Sequence, residues 1–116
     1  MDPRVEVVER TMSLIGGKWK PAIMFCLVME GTLRFSDLRR RIPEVSQRML
    51  TQQLRDLERH GLVHREFHES IPPKVEYSLT KLGQTVHPVF KTVCDWAGEH
   101  FAKVERARDK YDSAKS

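Results

Sequence analysis

Five side chains between positions 47 and 55 form the pattern best suited to chemistry: Gln47, Arg48, Thr51, Gln52 and Arg55. On a helical wheel of about 100° per residue they share one polar arc of roughly 140°, while Leu50, Leu54 and Leu57 fall on a separate narrow arc. An arginine fork matches guanine O6 and N7, and a glutamine amide matches adenine N6 and N7; a good bidentate contact discriminates by about 1–3 kcal/mol. The arc therefore suits base-edge reading in a major groove, from a helix that Ser46 can cap. Any solvated helix face is also polar, so the neighbouring elements must decide between the two readings.

Those neighbours concentrate positive charge. Between Arg34 and His60 lie seven arginines (34, 39, 40, 41, 48, 55 and 59) against Asp37, Glu44, Asp56 and Glu58, in a chain whose formal net charge is +4. Ser36, Arg39, Arg40 and Arg41 are candidates for phosphate contacts, which fix register without reading sequence. Some of these arginines can instead pair with Asp37 or Glu44. Further along, Arg65 and Lys74 are candidate backbone contacts among Glu66, Glu69 and Glu76, so that segment is expected to contribute modestly through Lys74 at its tip.

The elements that position these residues follow from periodicity. Val5, Val8, Met12 and Ile15 mark a first amphipathic helix that Gly16-Gly17 ends. A second helix is expected from about Lys18 to Glu30, with Pro21 in its first turn and Gly31 at its end. Thr32–Phe35 is a candidate short strand, and Ser36 a candidate cap for a third helix bearing Leu38 and Ile42 inward. Pro43-Glu44-Val45 breaks the chain. Ser46 then caps a fourth helix running to about His60, with Val45 and Leu50 spaced as a hydrophobic staple, and Gly61 stops it. Beyond Gly61 the period becomes two: Val63, Arg65 and Phe67, then Val75, Tyr77 and Leu79, around a loop at Glu69–Lys74 that reads as a hairpin connection. Thr80 is expected to cap a last helical region, which Pro88 should kink or split. From Glu105 onward the alternating charges predict fraying. The order is that of a winged helix-turn-helix: an α+β, mostly helical fold with extra N- and C-terminal helices.

Length and composition agree with one globular domain over residues 1–116, with its core at about 6–101. Hydrophobic residues make up 40% and charged residues 31%, and the pI is near 9.3. The longest apolar run, Ala22–Met29, is short of the roughly 20 residues that span a bilayer. The opening Met1-Asp2-Pro3-Arg4 carries no signal-peptide pattern, so a cytoplasmic location without membrane attachment is expected. Cys26 and Cys94 lie in apolar patterns, which fits a reducing compartment. Cys26 is expected to act as a small buried hydrophobe. Cys94, near Lys91, is the candidate for redox or electrophile sensing.

His64, Glu66 and His68 share one strand face, but same-face neighbours are about 6.8 Å apart and the two histidines about twice that, so no metal site is expected. No nucleophile–base pair, phosphate loop or carboxylate dyad stands out. The chain is read as a non-enzyme without a cofactor.

The terminal helices offer more apolar surface than a small winged domain buries. Val5, Val8, Met12, Phe90, Val93, Trp96, Ala97 and Phe101 can pack across a two-fold axis, giving a homodimer with two reading helices about one DNA turn apart. Alternatively, the two helices cover each other within one chain.

Leu14-Ile15-Gly16-Gly17-Lys18-Trp19, Arg34-Phe35-Ser36-Asp37-Leu38, Ser46 through Leu57, Gly61-Leu62-Val63 and Pro72-Pro73-Lys74-Val75-Glu76-Tyr77-Ser78-Leu79-Thr80 together resemble the HxlR family of bacterial winged-helix transcriptional regulators. The resemblance spans about residues 6–101. It implies a cytoplasmic homodimer joined through its first and last helices, binding a palindromic operator in double-stranded DNA. It also implies that Ser46, Gln47, Arg48, Thr51, Gln52 and Arg55 lie on the DNA-reading helix. Many members carry a sensing cysteine just before the first apolar stripe, where this chain has Val5-Glu6-Val7-Val8. Their thiol switch does not carry over, so the signal is open and a small-molecule effector is a candidate partner. The expected function is a dimeric, sequence-specific regulator, in the first instance a repressor. The alternatives are an effector-gated or thiol-based stress sensor of the same fold, and a winged-helix protein-interaction module without a DNA target.

Overall fold

The computed structural model describes residues 1–115, in the order expected. Helix α1 spans Pro3–Ile15, α2 Lys20–Glu30, α3 Phe35–Arg41 and α4 Gln47–Arg59. Strands β1 (Leu33–Arg34), β2 (Val63–His68) and β3 (Lys74–Leu79) form an antiparallel sheet in the order β1-β3-β2. A short α5, Lys81–Gln84, precedes the 29-residue α6, His87–Lys115.

The core is assembled from one face of each central helix. Ile23, Met24 and Leu27 of α2, Leu38 of α3, and Leu50, Leu54 and Leu57 of α4 are all buried, together with Leu33, Leu62 and Val63. Val45 and Leu50 are both buried on either side of the α4 N-cap, as a staple requires. Ser46 accepts the Met49 amide at 3.0 Å, which satisfies one orphan donor of α4. Gly61 ends that helix at φ +77°, a conformation that costs a residue with a Cβ. Thr80 holds the far side: its hydroxyl accepts the Gly83 amide at 2.9 Å and donates to the Gly61 carbonyl. At Gly83 a Cβ would lie 2.0 Å from the Leu62 carbonyl oxygen, so only glycine lets α5 approach the hairpin this closely.

Four expectations are corrected. Ser36 does not cap α3; the N-cap is Arg34, two residues earlier, and Asp37 accepts the Arg34 amide at 3.0 Å. Helix α2 starts at Lys20 rather than Lys18, because Gly17, at φ +85°, and the turn through Trp19 precede it. Lys74 is not at the hairpin tip; it opens β3 opposite His68, and the tip is 69–73. The fraying expected from Glu105 is not observed: α6 continues to Lys115, through residues of good helix propensity with no Gly or Pro. Ser116 lies outside the described residues. The break at Pro88 is as expected, and Pro88 itself sits in the first turn of α6, where its missing N–H costs little.

One interaction had no signal in the sequence. Lys20, at the start of α2, is buried, and its ammonium donates to Asp56 of α4 and, at 3.3 Å, to the Ser13 carbonyl in the last turn of α1. The pair ties three helices at one point, and Lys20 also complements the negative end of α1. The Lys20 hydrogen bond holds the Asp56 carboxyl below the usual aspartate range, with His60 and Arg59 adding attraction. The contribution to stability is therefore complete above pH of about 4, the unfolded aspartate value, and is lost as pH falls through the lowered folded value. Asp56→Asn should cost about 1–2 kcal/mol at neutral pH and flatten the acid limb of stability below that value, read by chemical denaturation across pH.

Candidate nucleic-acid interface

The leucine seam of α4 sets which side chains face outward. With Leu50, Leu54 and Leu57 fully buried, Gln47, Arg48, Gln52 and Arg55 are exposed and Thr51 is half-buried. These five line one shallow groove. Thr51 donates back to the Gln47 carbonyl at 2.9 Å, so its hydroxyl stays close to the helix. Ser46 is occupied at the N-cap, which puts the positive end of the helix dipole beside Gln47 and Arg48.

The arginines divide into committed and free. Arg40 pairs with Asp37, and Arg41 pairs with Glu30 of α2 while also donating to the Asp37 carbonyl at 3.1 Å. The Glu30 contact raises the Arg41 pKa further and leaves its guanidinium braced against α2. Among the described residues Arg39, Arg48, Arg55 and Arg65 form no ion pair. The three consecutive arginines of α3 are thus unequal: Arg39 is free, Arg40 is shared and Arg41 is held.

The hairpin separates two faces by register. Val63↔Leu79, Arg65↔Tyr77 and Phe67↔Val75 face one side, and His64↔Ser78, Glu66↔Glu76 and His68↔Lys74 the other. Arg65 and Tyr77 line a small depression with Thr51, Arg55 and Glu58 of α4, so Arg65 stands next to the arc. On the opposite face His64 lies 3.0 Å from Glu66, and His68 lies 2.6 Å from Glu76, which Lys74 approaches at 3.8 Å. Lys74 thus approaches Glu76 without a hydrogen bond, on a carboxylate it shares with His68. The Glu66 carboxyl is lowered by its hydrogen bond to His64.

The candidate dimer residues do not cover one another within the chain. Met12 of α1 and Val93 and Trp96 of α6 each keep more than half of their surface exposed, Val5, Val8 and Phe101 are likewise exposed, and α6 has no buried residue. Phe90 alone packs on the core, and Ala97 is half-buried. Cys94 is exposed on the same helix, and its expected cationic neighbour Lys91 is engaged by Asp95 at 3.0 Å.

Comparison with known proteins agrees with the helix-turn-helix architecture. A family model described as HxlR-like helix-turn-helix matches residues 14–105. The HTH-type transcriptional regulator YdeP of Bacillus subtilis is 48% identical over 109 residues, covering 90% of this chain and 84% of that protein. An HTH-type transcriptional regulator of Methanothermobacter thermautotrophicus is 44% identical over 103 residues, covering 89% and 78%. Among solved structures, the redox regulator HypR in its reduced form superposes with a TM-score of 0.80 at 44% identity, covering 85% of this chain and 97% of that one. The reduced form of the transcriptional regulator YodB from B. subtilis gives 0.72 at 36% identity, covering 84% and 91%.

Cys26 is half-buried against the core, and burial together with Glu30 raises its thiol pKa, Arg41 opposing. Alkylation of Cys26 by iodoacetamide, followed by peptide mass spectrometry, should rise only at pH values above those at which a free cysteine thiol reacts.

Proposed function

The chain belongs to the HxlR-like helix-turn-helix family, and on that premise we propose that it is a homodimeric repressor gripping a palindromic operator with two copies of α4. It is a helix-turn-helix transcriptional regulator and binds DNA, as its family does. The observation that carries the finer reading is the pair of uncommitted guanidiniums, Arg48 and Arg55, flanked by Gln47 and Gln52 on one exposed face of α4.

In this reading α4 enters the major groove, and Arg48, Gln52 and Arg55 meet base edges, with Gln47 and Ser46 at the entering end. Arg39 and the N-terminal side of α3, including Ser36, meet phosphate, with Arg40 contributing once its contact to Asp37 is exchanged. Arg65 adds a backbone contact beside α4, whereas Lys74, shared with Glu76, adds little. Two chains joined through Val5, Val8, Met12, Phe90, Val93, Trp96, Ala97 and Phe101 would set the α4 helices about 34 Å apart, one helical turn of DNA. Occupying a promoter in this way represses by exclusion and requires neither catalysis nor a cofactor. Such a protein works in the cytoplasm, with the chromosome. The structural relative HypR is a redox regulator; a thiol version in this chain would rest on Cys94, whose expected cationic neighbour Lys91 is already paired.

Two experiments test this reading. Once an operator has been obtained by selection from genomic DNA, Arg48→Ala should cost about 1–3 kcal/mol on it and relax preference at one base pair. Arg39→Ala should weaken operator and random DNA alike and lower the salt slope by about one. Equal affinity of the unaltered protein for operator and random DNA at physiological salt would defeat the proposal. For assembly, Trp96→Arg should convert a dimer to a monomer in sedimentation velocity and reduce operator affinity at least about tenfold, since one half-site contact is lost. An unaltered protein that sediments as a monomer at micromolar concentration would rule out the dimer.

A further inference from the structure

We propose that the hollow between α1 and α4 is an effector site for a small organic anion with an apolar body. The proposal rests on α4 being the DNA-reading helix, and it names the chemistry of a signal that can reach it.

The hollow is bounded by residues of α1, by Lys20 at the start of α2 and by the last turn of α4. Its charge is unbalanced. Arg10, Lys20 and Arg59 line it against a single carboxylate, Asp56, with His60 beside them. That carboxylate is already committed, because Lys20 donates to it from a buried position. Arg59 approaches it only at 4.0 Å, and Arg10 forms no ion pair among the described residues. His60 Nδ1 is occupied by the Asp56 carbonyl at 2.8 Å. Two guanidiniums, one from α1 and one from α4, are therefore left with no full partner across one concavity. Guanidinium forks bind carboxylates bidentately, and a surplus of positive charge favours an anion over a neutral molecule.

The rest of the lining is mixed, Val7 and Leu14 beside Thr11 and Ser13, and its apolar part suits a hydrocarbon body. Val7 and Leu14 lie about two helical turns apart on α1 and flank Arg10 and Thr11. A carboxylate held between Arg10 and Arg59 would leave its hydrocarbon part over these two side chains. Hydroxyl-rich or multiply charged anions would lose that contact.

The position gives the site its consequence. Arg59 is one helical turn beyond Arg55, and Asp56 follows Arg55 directly, so a ligand drawing Arg59 toward Arg10 acts on the end of α4. The other wall, α1, carries Val5, Val8 and Met12 of the proposed two-fold interface. Since α4 is held by its leucine seam and α1 is exposed along most of its length, a ligand bridging the walls would favour one setting of α1 against α4. That preference is what shifts a conformational population.

The test uses the full-length protein, with sodium benzoate and sodium octanoate as probes and benzyl alcohol as the neutral control. Isothermal titration should show one saturable benzoate or octanoate site per chain, with benzyl alcohol much weaker. Arg10→Gln and Arg59→Gln, both at exposed positions, should each weaken uptake about tenfold. Fluorescence anisotropy with operator DNA should show an affinity that changes with the saturating carboxylate in the unaltered protein and not in the double variant. The proposal is overturned if neither carboxylate binds saturably, as when an acidic segment of a second copy fills the hollow. It is also overturned if benzyl alcohol binds as well, if the glutamine variants bind unchanged, or if operator affinity ignores the bound anion. Operator binding by the anion-free protein is measured first: its failure falls on the DNA-reading proposal, whereas intact operator binding without carboxylate uptake counts against the hollow alone.

Discussion

The rotation of α4 about its own axis is the constraint from which the interface follows. Leu50, Leu54 and Leu57 are buried almost completely, each deep in the core formed by α2, α3 and the root of the hairpin. Burying a leucine is worth about 1.5–3 kcal/mol, so rolling this helix to expose the seam would cost several times the energy of any single polar contact on its surface. Once the seam is fixed, geometry leaves Gln47, Arg48, Gln52 and Arg55 no direction but outward. The staple at Val45 and the cap at Ser46 then fix where the helix starts, and Gly61 fixes where it stops. Position along the axis and rotation about it are thus set by apolar and backbone terms. The polar arc is free to vary in identity without disturbing the fold.

Electrostatics does a second, separate sorting. Acidic residues are placed so that some cations are spent on structure and others are not. Glu30 holds Arg41, Asp37 holds Arg40, Asp56 holds Lys20, and Glu76 lies 3.8 Å from Lys74. Among the described residues, the cations left without an ion pair include Arg48 and Arg55 on the outer face of α4, Arg39 of α3 and Arg65 of the adjoining strand. An unpaired guanidinium on a surface costs nothing to hydrate but gains a charge-assisted bond when a phosphate or base edge arrives. The formal charge of the chain understates this, because the surplus depends on which pairs form and not on the count of residues.

Helical and strand periodicity made most of this architecture legible. The leucine seam, the serine and threonine caps, the glycine stop and the two alternating strands are local features, each readable within a window of about ten residues. The misreadings were local as well: α3 starts before Ser36, and the Asp37 carboxylate reaches back to the Arg34 amide, a different donor from those a Ser36 cap would take. The contacts that could not be read join distant positions. Lys20 and Asp56 are 36 residues apart, and nothing around either announces the other. Lys20 looks like an ordinary first-turn lysine until three helix ends converge on it. Likewise the sequence offers Asp37 and Glu44 as partners for the three arginines of α3, and only the fold shows that Glu30 of α2 takes the third, on the surface.

The uncovered faces of α1 and α6 bear on how a small reader can be specific. In the proposed reading a single α4 would reach only a few base pairs, and a second copy held at a fixed distance would lengthen the sequence that is read. Fixing that distance demands a stiff element that leaves the DNA-binding body and carries apolar residues for a partner. Helix α6 has this form: Phe90 at its base packs on the core, while Val93, Trp96 and Phe101 run outward along an exposed face. An exposed stripe of this kind is a liability in a lone chain and an asset across a two-fold axis. A second copy of the chain would cover it, and an isologous contact closes on itself and leaves no further surface to propagate. In the proposed dimer, the packing of α1 and the packing of α6 on the second copy would together set the spacing of the two α4 helices. Anything that shifts α1 against α4 then reaches the DNA through both.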